Sequence, residues 1–254
     1  QDGDAISLVD YWGGDVDFCF TGVQSELEFI AWKLASNAGV LRFTTTTNAT
    51  YANEFDLDYD VDDDMKQKTG SDWAQSASAD IIGDLVKLVK FAKGKGLNPK
   101  FAFINQDELY KICSADQIIK ACASYLSNAV GMSQTPDLTQ VNGMLAKQAW
   151  LNGIQLRVVD QTITREFADG TSTSGNPFEN SRLILSETER LGSTQYDILA
   201  ESNDLILRAE RSHTVVKKYG TCEPQSEITI GQADAVPVFD TVYRNLYVKK
   251  KKKE

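Results

Sequence analysis

The 254 residues are 42% hydrophobic, 9% aromatic and 24% charged, a globular composition that excludes a disordered chain, a collagen-like repeat and a coiled-coil rod. Thirty-six acids against twenty-six bases leave a net charge of −10, which speaks against a general nucleic-acid binder. A single histidine, His213, removes most of the vocabulary of catalysis and metal binding, and no apolar run approaches the roughly 18 residues of a membrane span.

Residues 1–22 mix Gly, Asp and the aromatics Tyr11, Trp12, Phe18 and Phe20 without a clear period, and predict an extended segment. The start at Gln1 lacks a basic-then-apolar leader and reads as a cut end. Val23, Leu27, Ile30, Leu34 and Ala38 then recur every three or four residues, an amphipathic helix with Thr21 as N-cap and Asn37-Ala38-Gly39 as its left-handed stop. Strands follow at Val40–Thr47 and Tyr51–Tyr59, joined by a turn at Asn48-Ala49-Thr50. The second alternates Phe55, Leu57 and Tyr59 with Asp56, Asp58 and Asp60. Seven acids between Glu54 and Asp64 mark a solvated face. Like-charged faces of this kind repel one another less as salt screens them.

The stretch 61–76 is polar and leads to Trp73. A helix from Ser78 or Asp80 to Lys95 carries Ile81, Leu85, Leu88, Val89 and Ala92 on one face and stops at Gly94 and Gly96. Lys100–Ile104 reads as a buried strand, Asn105 as the cap of a helix over Gln106–Cys113, and further helices span Ala115–Leu126 and Thr139–Leu151. Strands are expected at Ile154–Val159, Thr162–Phe167 and Arg182–Leu185, with a polar loop over 169–177. The last third offers strands near 205–209, 213–219, 226–230, Ala235–Phe239 and Val242–Val248, then five lysines, Lys249–Lys253. The whole is mixed α+β.

Reactive motifs are scarce. Asp58-x-Asp60-x-Asp62 imitates the opening of a calcium loop, but Asp63 replaces the required Gly and Thr69 the closing Glu. Gly94-Lys95-Gly96 follows a helix, the wrong context for a phosphate loop. His213 sits beside Arg211, Lys217 and Lys218 with no nucleophile nearby. Cys19, Cys113, Cys122 and Cys222 never stand in Cys-x-x-Cys spacing and read as reduced thiols, with Cys113 and Cys122 as small buried hydrophobes. No catalytic, cofactor or metal residue is assigned. The lysine run could touch phosphates or lie solvated.

The order of segments resembles the major capsid proteins of tailed phages, the lambda-like branch in particular, whose fold is shared with encapsulins. A helix with Glu26, Glu28, Ala31 and Leu34 ends in Ala38-Gly39 and enters a hairpin with an acidic strand, Glu54–Tyr59. Trp73, Gly96 to Pro99 and Asn105-Gln106-Asp107-Glu108 follow, then Gly153-Ile154-Gln155-Leu156 to Val159-Asp160. Ser186 to Gly192, Glu223-Pro224 and Val236-Pro237-Val238-Phe239 complete the likeness. It implies a capsid fold with residues 1–76 as N-terminal segment, spine helix and peripheral hairpin, 77–224 as axial domain, and 225–254 as return strands and basic tail. The 22 or so residues before the helix are fewer than the family's arm and extended loop, so the chain resembles an N-terminally truncated member. The implied role is a structural subunit of a virion, made in the bacterial host cytoplasm. Its implied partners are copies of itself in pentamers and hexamers, scaffolding or decoration proteins, and packaged DNA loosely through Lys249, Lys250, Lys251, Lys252 and Lys253. No cofactor, membrane contact or catalysis is implied. An encapsulin-like compartment shell shares the fold and would be told apart by a protein cargo. An α+β enzyme would need a deep pocket of convergent polar groups.

Overall fold

The computed structural model describes residues 4–43, 55–125, 135–151, 153–166, 170–197, 207–211, 213–223 and 225–251. The first element is a helix, α1 (Asp4–Ser36), where residues 1–22 were expected to be extended. Leu8, Trp12, Val16 and Cys19 continue the spacing of Val23, Leu27, Ile30 and Leu34 without a break. Gly13-Gly14 and Gly22 mask it, because each costs a helix about 1 kcal/mol relative to Ala and reads as a breaker. The stop falls where the sequence puts it. Ala38 and Gly39 take φ of 56° and 78°, and the Gly39 amide donates to the Leu34 carbonyl at 2.9 Å.

Strands β1 (Val40–Phe43) and β2 (Phe55–Asp58) pair antiparallel, Val40 opposite Asp58. The turn expected at 48–50 lies outside the described residues. A short 3-10 turn, Asp63–Met65, leads to β3 (Lys66–Lys68), α2 (Ile81–Gly94), β4 (Phe101–Asn105), α3 (Gln106–Ser114), α4 (Asp116–Tyr125), α5 (Leu138–Ala146) and β5 (Gln155–Val159). The helices begin on side-chain caps: Asp80 accepts from the Gly83 amide, Asn105 from the Glu108 amide, and Asp137 forms a capping box with Gln140. The helix expected to run to Leu151 ends at Ala146. Three-residue turns follow, and they bring Leu151 fully inside. Then come β6 (Ile163–Glu166), β7 (Ser172–Gly175), β8 (Arg182–Ser186), β9 (Ser193–Asp197), β10 (Leu207–Arg211), β11 (Thr214–Cys222), β12 (Gln225–Gln232), β13 (Asp234–Val238) and β14 (Asn245–Lys249). The sequence gives no warning of β3, β7 or β9. Each is short and mostly polar, so it lacks the apolar alternation that marks a strand.

The chain forms two compact units, Gln1–Ala31 with Gly192–Val238, and Trp32–Leu191 with Phe239–Glu254. In the first, β10, β11 and β12 make an antiparallel sheet, and β13 pairs with β9. There α1 passes so close to β12 that a Cβ added at Gly231 would stand 2.8 Å from the Cys19 carbonyl oxygen. Gln24 Nε2 donates to Thr214 Oγ1 at 3.0 Å, and Lys218 pairs with Glu227 at 3.6 Å.

The second unit is built on a mixed five-stranded sheet in the order β3-β14-β8-β4-β5. β14 runs parallel to β3 and antiparallel to β8, and β4 runs antiparallel to β8 and parallel to β5. Both faces are covered. Ala102, Ile104, Leu183, Leu185, Leu246 and Val248 pack with the helical residues Leu85, Val89, Ile112, Ile118 and Met144. Phe103, Ile184 and Tyr247 point the other way, into a second core with Leu34, Phe178, Phe239 and Val242. Strands with two buried faces lose the polar half of the alternation, which is why Lys100–Ile104 reads as a continuous apolar run. Each fully buried Leu, Ile or Phe here contributes about 1.5–3 kcal/mol.

Candidate functional site

The acidic strand stands as the alternation predicts. Asp56, Asp58 and Asp60 are exposed, and Leu57 and Tyr59 are half-buried against the second core. Asp58 Oδ1 accepts from the Asp60 amide at 2.8 Å, and Asp62 Oδ1 from the Asp64 amide at 3.0 Å, so these carboxylates tie down the local backbone. Among the described residues no group of three or more His, Cys, Asp or Glu side chains converges on a point that could hold a metal ion. His213 sits at φ 66° in the turn between β10 and β11, exposed, with its ring stacked on Tyr196 at 5.0 Å. Cys113 and Cys122 are buried on α3 and α4, and burial pushes the Cys113 thiol up to about 11.

The lysine run divides. Lys249 and Lys251 are exposed, Lys252 and Lys253 lie outside the described residues, and Lys250 is only 5% exposed. This corrects the expectation that all five lysines are offered to phosphate, because Lys250 points inward and is already paired. Its ammonium donates to Glu108 Oε2 and lies 4.3 Å from the centre of the Trp73 ring. Backbone bonds fix it there: the Lys250 amide donates to the Ser181 carbonyl at 2.9 Å, and the Lys251 amide to Thr69 Oγ1 at 2.9 Å.

Glu108 is fully buried at the third position of α3, 142 residues from Lys250 in sequence. Its Oε1 accepts from Lys111 Nζ at 2.7 Å and from the Ser181 amide at 3.2 Å. Burial alone would raise its carboxyl, but the two ammonium groups outweigh that and hold it below the ordinary value. Burial is also the main influence on Lys250. It lowers the ammonium to about 8, against the opposing pull of Glu108, and Lys111 adds to the lowering. Next to this cluster Trp73 donates its indole N–H to Asp84 Oδ2 at 3.1 Å. The same oxygen accepts from the Ser71 amide and hydroxyl at 2.9 and 2.7 Å. Asp84 is thus a buried acid on the apolar face of α2 whose Oδ2 takes three donors, while its Oδ1 lies 3.9 Å from Lys87 Nζ.

An open cleft of about 330 Å³ borders the cluster, lined among others by Asp72, Trp73, Lys111, Ser181, Lys250 and Lys251. The sequence reading missed Glu108, Asp84 and the cleft. Trp73 and Asn105-Gln106-Asp107-Glu108 stand out in the sequence by their order along the chain, which carries no sign that Glu108 meets Lys250.

No family model matches this sequence, and no curated protein matches it. Solved structures do. Over 94% of its length the chain shares the fold of a protein assigned as the capsid protein of a prophage in E. coli CFT073, with a TM-score of 0.60 and 12% identity. A phage-related protein of Bordetella bronchiseptica RB50 matches 74% of the chain, with a TM-score of 0.45 and 14% identity. This chain spans 66% of the first protein's length and 57% of the second's. The expected mixed α+β capsid fold is the fold observed. Among the described residues no helix is long and apolar enough to cross a membrane.

Proposed function

We infer that this chain is a structural subunit of a phage or prophage head, a major capsid protein that works by repeated contact with copies of itself. The observation that carries this reading is the fold shared over 94% of the chain with a prophage capsid protein. The composition supports it, since one histidine in 254 residues suits a protein whose task is shape. Heterologous contacts between identical subunits close into pentamers and hexamers when the rotation between neighbours closes, and these tile an icosahedral shell around DNA. Scaffolding or decoration proteins would bind the same assembly.

Residues 1–76 and 225–254 form the peripheral part of the subunit in this proposal, and 77–224 the axial part. Loose contact with packaged DNA falls to Lys249 and Lys251–Lys253. Negative-stain microscopy of concentrated protein tests the reading. Rings or cages are the expected result, and a chain that stays monomeric at every concentration overturns it.

A further inference from the structure

The buried cluster is out of charge balance. Lys111 and Lys250 both donate to Glu108, so one carboxylate serves two ammonium groups. The cleft beside them adds Lys251 and Asp72, which makes three cations to two anions along its lining. Asp72 already accepts from the Ala74 amide at 3.0 Å. Both Glu108 oxygens are taken by Lys111, Lys250 and the Ser181 amide, so the cleft has no free buried carboxylate for a metal cation. Excess positive charge next to a buried ammonium is unfavourable, and an anion in the cleft would relieve it.

The same chain carries the complementary charge on its surface. Asp56, Asp63 and Asp64 pair with Arg42, Lys66 and Lys95. Asp58, Asp60 and Asp62 are exposed and form no ion pair among the described residues. A carboxylate on a short, backbone-braced side chain suits a small cleft rimmed by Lys111 and Lys251.

We propose that the cleft lined by Trp73, Lys111, Lys250 and Lys251 is a carboxylate socket that receives Asp58, Asp60 or Asp62 of a second copy of this chain. The proposal rests on the self-association inferred above and names one of its contacts. The contact is heterologous, socket on one copy and acidic strand on the next, the kind that builds rings. It also fixes the sign of the salt effect. Acidic strands facing each other would be brought together by salt, whereas an acidic strand in a basic socket is released by it.

Sedimentation velocity on the full chain tests this in low salt and in about 1 M sodium chloride, where the screening length is about 3 Å. The unaltered protein is expected to associate in low salt and dissociate in high. A socket variant, Lys111→Gln with Lys251→Glu, should associate about tenfold more weakly or worse, and so should a strand variant, Asp58→Lys with Asp60→Lys and Asp62→Lys. Mixing the two should restore association, because the intact socket of one meets the intact strand of the other. Thermal melting reports whether each variant folds, and Lys251→Glu alone, on the exposed rim, replaces any socket variant that does not. Association that ignores these substitutions, or that salt strengthens, overturns the socket and leaves self-association standing. A monomeric unaltered protein overturns both. A socket variant that still self-associates but loses binding to a short DNA duplex assigns the cleft to phosphate and likewise overturns the proposal.

Discussion

Glu108 holds two lysines from distant parts of the chain, so losing it differs in kind from losing either lysine. Glu108→Gln leaves the Lys250 ammonium buried without its counter-charge, and chemical denaturation should show a loss of about 3–5 kcal/mol. Changing both partners, Glu108→Leu with Lys250→Met, removes the charge from the interior and should cost less than the single change at Glu108. A double-mutant cycle checks the difference. The pH dependence has a defined sign. Lys250 titrates at about 8 in the fold and near 10.5 once unfolded, so between those values the unfolded chain binds the extra proton. This residue's contribution should therefore make the fold more stable as pH rises from about 8 to about 10.5. Below pH 8 both states carry the proton and the full burial penalty stands. Denaturation midpoints against pH should lose that slope in Lys250→Met. On the acid side Glu108, held below its ordinary 4.5, lends stability that is present above that value. It disappears as pH falls through the lowered one.

Among the elements, the crossing of α1 over β12 gives a direct test of packing against backbone. Gly231→Ala would set a methyl group 2.8 Å from the Cys19 backbone oxygen, which has no flexible end to move aside. The substitution should destabilise the unit by about 1–3 kcal/mol, read as earlier hydrogen exchange in β11 and β12 while β4 and β8 keep their protection. The elements that could be read from sequence share a cause. α2, α3 and the acidic strand each have one solvated face or a side-chain cap, and β4 has two buried faces, so their residues repeat in recognisable ways. The start of α1 was obscured by its glycines, and β3, β7 and β9 by their polarity. Lys250 was hidden by its neighbours. A run of five lysines reads as solvated, and it is the backbone bonds just past the end of β14, from Lys250 to Ser181 and from Lys251 to Thr69, that hold one of them inside.

Taken as a whole, the molecule is expected to hold DNA weakly. Its net charge of −10 opposes a polyanion, and the burial of Lys250 removes one cation from the only basic cluster near the chain's end. Binding to a short duplex should be weak, should fall steeply with salt, and should vanish when residues 251–254 are deleted. A gel-shift series across ionic strength would show it, and tight binding that survives the deletion would refute the picture. The position of β14 has a further consequence, for synthesis. That strand lies between β3 and β8, yet residues 187–244 are made after β8 and before it. At about 5–20 residues per second a ribosome needs roughly 3–12 s for that stretch. Throughout this interval β8 has a bare edge where its neighbour belongs, open to strands of other nascent chains. Crowded polysomes, more than the finished subunit, are therefore where this protein is most exposed to aggregation.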